Sequence, residues 1–251
     1  MMAYTLITGA SSGIGYAAAL KFAEKQHDLI LVARNEDKLN DLKEKIKAQY
    51  NVDVVVKPFD LSQVDKIEAF YQTIREKYDL STLVNNAGFG DYGPVSELEL
   101  PKTQQMLHLN VEALTILSML FVKDYEYTEG TQIINVSSVG GYLIVPENTT
   151  YVATKFYVSA FTEGLAHQLK QRDAKLQAKI LAPANTESKF AQVALDANDF
   201  DMSQIEKYHT ADEMAEFMTQ LYDSSKVLGI VNFDTFEFEL RDPHYPSQSL
   251  G

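Results

Sequence analysis

The sequence predicts an α/β fold: a parallel sheet doubly wound, with helices on both faces. Three observations carry this. Short β-rich runs alternate with longer amphipathic runs from end to end. Leu29 to Ala33 is apolar throughout, as suits a strand covered on both faces. A glycine-rich turn joins the first strand-like run to the first helix-like run. The 251 residues, 45% of them hydrophobic, contain no repeat, linker or low-complexity stretch, so one domain is expected over 1–251.

Composition narrows the function. A formal charge of −13 disfavours nucleic acid, whose binding rests on Lys and Arg contacts to phosphate. The absence of cysteine excludes disulfides, thiol nucleophiles and thiolate metal sites, and fits a reducing compartment. The five histidines (27, 108, 167, 209, 244) lack metal-ligand spacing, so no metal is assigned. Met1-Met2-Ala3 leads straight into a strand, without a leader-like segment, and the apolar run Ile116 to Val122 is too short to span a bilayer. A cytoplasmic protein without a membrane partner is expected.

In order, Tyr4 to Thr8 forms a strand and Tyr16 to Lys25 a helix. Between them, Gly9, Gly13 and Gly15 have Gly-x-x-x-Gly-x-Gly spacing, with Ala10, Ser11, Ser12 and Ile14 as the intervening residues. In this context glycines let the backbone approach a pyrophosphate, which the helix N-terminus binds. The second strand ends at Ala33-Arg34-Asn35. An acid there would hold a ribose hydroxyl, whereas Arg34 can grip a 2′-phosphate with paired N–H groups, which selects NADP(H). Glu36 and Asp37 belong to the first turn of the next helix, Glu36 to Gln49, where acids favour the dipole.

Val52 to Lys57 is the third strand. Asp60, Leu61 and Ser62 lead into a helix from Gln63 to Tyr78, and Asp60 suits either helix entry or an adenine contact. The fourth strand ends at Asn85, and Asn86, Ala87 and Gly88 form a small-residue turn fit for close cofactor approach. Thr103 to Tyr125 reads as one long helix with an apolar face of Met106, Leu109, Ala113, Leu117 and Leu120, interrupted by Asn110; His108 is an ordinary helix residue. Ile133, Ile134 and Val136 run into the pair Ser137 and Ser138. A loop follows, then a helix from Tyr151 to Gln171 with a stripe of Phe156, Ala160, Phe161, Gly164, Leu165 and Leu169. Tyr151 and Lys155 are four apart, hence on one helix face with Cβ atoms roughly 5–6 Å apart. The same spacing recurs at Tyr222 and Lys226, without an upstream serine pair, and is read as surface. Gln177 to Ala182 is the sixth strand. A lid is expected at about 187–209, a helix near Ala211 to Tyr222, a seventh strand from Val227 to Phe233, and a polar tail at about 241–251. Phe233, Phe236 and Phe238 suit either the pocket or a cover for the sheet.

Thr8 to Gly15, Asn85 to Gly88, Asn110, Ser138, Tyr151 and Lys155 together resemble the short-chain dehydrogenase/reductase family in its compact single-domain form, over residues 3 to about 190. The resemblance implies a Rossmann sheet of seven parallel strands in the order 3-2-1-4-5-6-7, with the cofactor across the strand ends. It implies hydride transfer between a nicotinamide and a carbonyl or alcohol carbon. Tyr151 would exchange the proton with the oxygen, Ser138 would position that oxygen, and Asn110 would hold a relay water. Lys155 would bind the nicotinamide ribose and lower the tyrosine pKa. A value near 7 requires roughly 4 kcal/mol, about what a unit charge at ~4 Å supplies at an effective dielectric near 20. Pro183, Thr186 and Ser188 fall where the family contacts the carboxamide, with Ala184 and Ser188 replacing its usual glycine and threonine. A homodimer or homotetramer is implied as well. Two other readings share these motifs: the same fold with NAD(H), and a dinucleotide-binding sensor or scaffold without catalysis. Retention of all four catalytic positions speaks against the second.

Overall fold

The computed structural model describes residues 3–187 and 207–248. Eight strands form one sheet in the order β3-β2-β1-β4-β5-β6-β7-β8. These are β1 (Tyr4–Thr8), β2 (Asp28–Ala33), β3 (Val54–Pro58), β4 (Leu80–Asn85), β5 (Gln132–Val136), β6 (Gln177–Ala182), β7 (Leu228–Val231) and β8 (Phe238–Arg241). The first seven are parallel and keep the expected order. The eighth corrects the expectation: it pairs antiparallel with β7, so Arg241 ends a strand instead of opening a free tail. The helices are α1 (Gly13–Glu24), α2 (Glu36–Gln49), α3 (Ile67–Arg75), α4 (Leu100–Leu107), α5 (Leu114–Tyr125), α6 (Thr149–Gln171) and α7 (Ala211–Asp223).

Alternation along each strand divides the core in two. Ile7, Leu29 and Leu31 pack with α1, α2 and α7 through Phe22, Leu42, Ile46 and Met218. Leu6, Ile30 and Val32 point to the opposite face and pack with α3, α5 and α6 through Tyr71, Phe121 and Leu169. Each fully buried large apolar side chain contributes about 1.5–3 kcal/mol relative to exposure. The helical run Leu100–Tyr125 is long and apolar enough to cross a bilayer, unlike the shorter run noted in the sequence. Here Leu117, Phe121 and Tyr125 turn one face of it into the core, while Leu100 and Met119 are exposed.

Several boundaries differ from expectation. The helix expected over Gln63 to Tyr78 is shorter, because Asp60 Oδ1 accepts from the Ser62 N–H (3.0 Å) and hydroxyl (2.8 Å) and a 3-10 turn, Val64–Lys66, precedes α3. The helix expected over Thr103 to Tyr125 is broken by a π-helical segment, His108–Ala113. On α6, Ala160 and Gly164 are exposed, whereas Thr162 and Glu163 are buried. Phe238 stacks on Phe217 (4.3 Å between centroids) and lies over Gly229, so it covers the sheet. Tyr222 is half-buried between Phe22 and His27 in α7's last turn, and Lys226 lies beyond that helix, paired with Asp242 at 2.9 Å. The second Tyr-x-x-x-Lys therefore shares no helix face, and its tyrosine is not surface.

Lys179 is buried in β6, and its Nζ donates to the carbonyls of Leu221 (3.0 Å), Tyr222 (2.8 Å) and Ser224 (2.6 Å) at the end of α7. It satisfies the carbonyls a helix end leaves open and complements the dipole; burial lowers its pKa to about 8. Lys179→Met leaves these acceptors unpaired. It is expected to destabilise the protein by about 1–3 kcal/mol, measured as a lower urea midpoint at unchanged slope.

Candidate active site

The glycine turn after β1 has the shape of a phosphate cradle. Gly9 and Gly13 have φ of +68° and +55°, left-handed values that glycine adopts at little cost. A Cβ on Gly15 would collide with the Gly9 carbonyl and the Asn86 side chain. Ser12 is the N-cap of α1 but makes no side-chain capping bond, so its first-turn N–H groups remain open to an anion. Ala10 N–H donates to the Val32 carbonyl (3.2 Å), tying the turn to β2. Thr8 Oγ1 accepts from the N–H groups of Asn86 and Ala87 (both 3.0 Å), and Asn86 Nδ2 donates to the Thr8 carbonyl (3.0 Å). These bonds fix the Asn86-Ala87-Gly88 turn beside the first turn.

The rest of the cradle lies at the neighbouring strand ends. Arg34 is exposed just beyond β2 and has no hydrogen-bond or ion-pair partner among the described residues. Asn35 caps α2 by accepting from Lys38 N–H (2.9 Å), and Glu36 and Asp37 occupy its first turn as expected. Asp60 performs the helix-entry role already described. Leu61, expected among the cofactor contacts, buries its side chain against the α3 core and leaves only its backbone for that role. The Pro183 carbonyl accepts from Val139 N–H (2.8 Å), and Thr186 Oγ1 donates to the Ala184 carbonyl (3.0 Å). Ala184 has no positive φ, so replacing a glycine there carries no backbone strain. Ser188, and the lid apart from its two ends, lie outside the described residues. This arrangement, crowded where a Cβ would stand and open at a helix N-terminus, fits a dinucleotide pyrophosphate.

Ser138, Tyr151, Lys155 and Asn110, the candidate catalytic residues, lie beside the cradle. Ser138 follows β5 and caps a 3-10 turn, Val139–Gly141, its Oγ accepting from Gly140 N–H (3.1 Å). The serine O–H stays available as a donor and hydrogen-bonds Tyr151. Tyr151 and Lys155 lie on the inward face of α6, 7% exposed each. Lys155 Nζ donates to the Val136 carbonyl (3.0 Å) and sits 5.6 Å from the centroid of the Tyr151 ring. Asn110 Oδ1 accepts from Phe89 N–H (3.1 Å), and its Nδ2 donates to the Phe89 carbonyl (2.8 Å) and Thr154 Oγ1 (3.2 Å). The π turn carries Asn110 at this junction, a common use of such turns. A Cβ on Gly88 would lie 2.9 Å from Asn110 Oδ1 and 3.9 Å from Lys155 Nζ, so the cradle and the proton site share a wall. His108 points elsewhere and pairs with Glu112 at 2.9 Å.

Burial sets the electrostatics of this pair. Burial raises the Tyr151 pKa, the Tyr92 phenol raises it further, and Ser138 opposes both. Burial also lowers the Lys155 pKa to about 8. Burial outweighs the lysine at this phenol, and the ammonium donates to the Val136 carbonyl. The site thus holds a neutral phenol suited to giving a proton.

Three roles were not read from the sequence, although Thr8 was quoted with the glycine turn. Thr8 locks two loops together, Thr154 orients Asn110, and Tyr92 approaches Tyr151. Thr154 had a signal, since it lies between the tyrosine and lysine on the inward face of the same helix. Tyr92, in the loop after Gly88, had none.

A short chain dehydrogenase family model matches residues 3–199. The chain belongs to the short chain dehydrogenase family. It is 30% identical to very-long-chain 3-oxoacyl-CoA reductase of Mus musculus over 178 residues, covering 69% of this chain and 57% of that protein. It therefore spans little more than half of that relative's length. It is 30% identical to dehydrogenase/reductase SDR family member 11 of Gallus gallus over 193 residues, covering 74% of this chain and 75% of that one. A short-chain dehydrogenase from Sphingobium yanoikuyae in complex with NADPH superposes with a TM-score of 0.82 at 28% identity, covering 92% of this chain and 88% of that one.

Proposed function

We propose that the protein is an NADP(H)-dependent oxidoreductase that transfers a hydride between the nicotinamide and a carbonyl or alcohol carbon, with Tyr151 as general acid and base. The observation that carries this reading is that Asn110 and Lys155 stand at Gly88, the wall of the dinucleotide cradle, with the Tyr151 ring beside Lys155 and Ser138 hydrogen-bonded to Tyr151. NADPH, when bound, supplies the hydride. Gly9 to Gly15 would hold its pyrophosphate, and Asn86 to Gly88 its nicotinamide half. Pro183 and Thr186 lie at the strand end beside Ser138.

In reduction, Ser138 O–H donates to the carbonyl oxygen and fixes its position. Tyr151 gives its phenolic proton to that oxygen as negative charge develops. Lys155 places a positive charge beside the phenolate that results, and Asn110 holds the adjacent backbone in place. The Gallus gallus and Mus musculus relatives, a dehydrogenase/reductase and a 3-oxoacyl-CoA reductase by name, support the carbonyl–alcohol class. The NADPH-bound neighbour supports the cofactor.

Arg34 carries the preference for NADPH over NADH, since the tip of β2 offers a guanidinium and no carboxylate. Arg34→Ala is expected to raise the Kd for NADPH about 10- to 100-fold, the worth of charge-assisted hydrogen bonds, and to leave NADH nearly unchanged. Fluorescence titration with both cofactors measures this. An unchanged ratio of the two affinities removes Arg34 from the role.

A further inference from the structure

Glu163 lies on α6 three turns beyond Tyr151 and is fully buried. Its Oε1 accepts from the Tyr142 hydroxyl at 2.6 Å, and its Oε2 accepts from the Tyr245 backbone N–H at 2.7 Å. The Tyr245 hydroxyl donates to the Gly141 carbonyl at 2.9 Å, and the two tyrosine rings stack at 5.7 Å. His167 Nε2 lies 3.3 Å from the Tyr245 carbonyl, and the His244 ring meets Tyr142 edge-on. No cation pairs with this carboxylate among the described residues, and a buried carboxylate is costly to hold without one. Such an arrangement does more than fill space: it fastens the C-terminal segment to the turn Val139–Gly141, whose first residue follows Ser138.

We propose that Glu163, with Tyr142 and Tyr245, is a positioning device for Ser138, an inference that rests on the catalytic reading given above. The turn after Ser138 is held at two points beyond the serine. Tyr142 anchors its exit to Glu163, and Tyr245 pins its last carbonyl. Little space remains for the turn to shift inward, since a Cβ on Gly141 would stand 2.7 Å from the Lys155 carbonyl. The C-terminal residues therefore complete the active site from behind without touching substrate. Glu163→Gln turns an acceptor into an amide that must present N–H to one of its two donors, loosening the clamp at nearly constant volume. Tyr245→Phe removes one hydrogen bond and keeps the ring.

The test is steady-state kinetics of both variants, alone and combined with Ser138→Ala, with NADPH affinity and thermal melting measured on the same samples. Each clamp variant is expected to lower kcat about 10-fold or more, leave the Kd for NADPH unchanged, and cost little further kcat once Ser138 is absent. Equal losses with and without Ser138, or unchanged kcat in folded Tyr245→Phe, overturn the positioning role. If Ser138→Ala and Tyr151→Phe themselves retain full turnover, the catalytic reading fails instead, which is a separate outcome. Should Glu163→Gln fail to fold, the Tyr245→Phe and Ser138→Ala pair decides the matter alone.

Discussion

Tyr151→Phe is expected to lower turnover by about 10²- to 10⁴-fold, the usual contribution of a positioned general acid, while NADPH binds as before. The ring stays, and with it the contacts to Met106 and Val152 that hold the start of α6. Only the hydroxyl is lost, and with it the proton and the hydrogen bond to Ser138. Stopped-flow turnover and cofactor titration on one preparation separate the effects: loss of both would point to misfolding, and loss of neither would remove Tyr151 from the chemistry. Because burial and Tyr92 raise this phenol's pKa, its proton remains in place at neutral pH.

Lys155→Met is expected to lower reductive turnover about 10²-fold or more, as removal of one charge-stabilising donor does elsewhere. It also raises the KM for NADPH, because the ammonium stands at the wall shared by cradle and proton site. Lys155→Arg should not rescue it: a planar guanidinium cannot reproduce one ammonium held between the Val136 carbonyl and the tyrosine ring. The wild-type pH profile follows from the same residue. Its pKa is lowered to about 8, so the ammonium is intact below that pH and lost above it. Reductive kcat is expected to decline as pH rises through about 8, and that limb should be absent in Lys155→Met. A flat profile across that range would remove the charge on Lys155 from the mechanism.

Most of the fold was legible because its signals are local. Apolar runs marked β1, β2, β4 and β5, and the bounds expected for α2 and β6 match the structure. β8 was missed although Phe236-Glu237-Phe238-Glu239-Leu240 alternates as a half-exposed strand does. Its aromatic residues suited a pocket equally well, and its pairing with β7 depends on Asn232, which accepts from the N–H groups of Asp234 (2.9 Å) and Thr235 (3.2 Å) in the connecting turn. The π turn at Asn110 was hidden because one widened turn leaves hydrophobic spacing almost intact. Ser138, Tyr151, Lys155 and Asn110 were brought together as expected. The electrostatics were not legible, since the direction of a pKa shift depends on burial and on which oxygen an ammonium faces. Glu163 was invisible for a similar reason. A charged residue inside a helix reads as solvated face until its partners, up to 82 positions away, are in place.

Deuterium transfer tests the central claim most directly. The protein would be incubated with NADPH deuterated at the nicotinamide C4 and a panel of aldehydes and ketones, and the alcohols analysed by mass spectrometry. The account predicts deuterium on the carbinol carbon, with label from one face of the nicotinamide only and none with Tyr151→Phe. Unlabelled alcohol, or no alcohol from any carbonyl although NADPH binds, would contradict it.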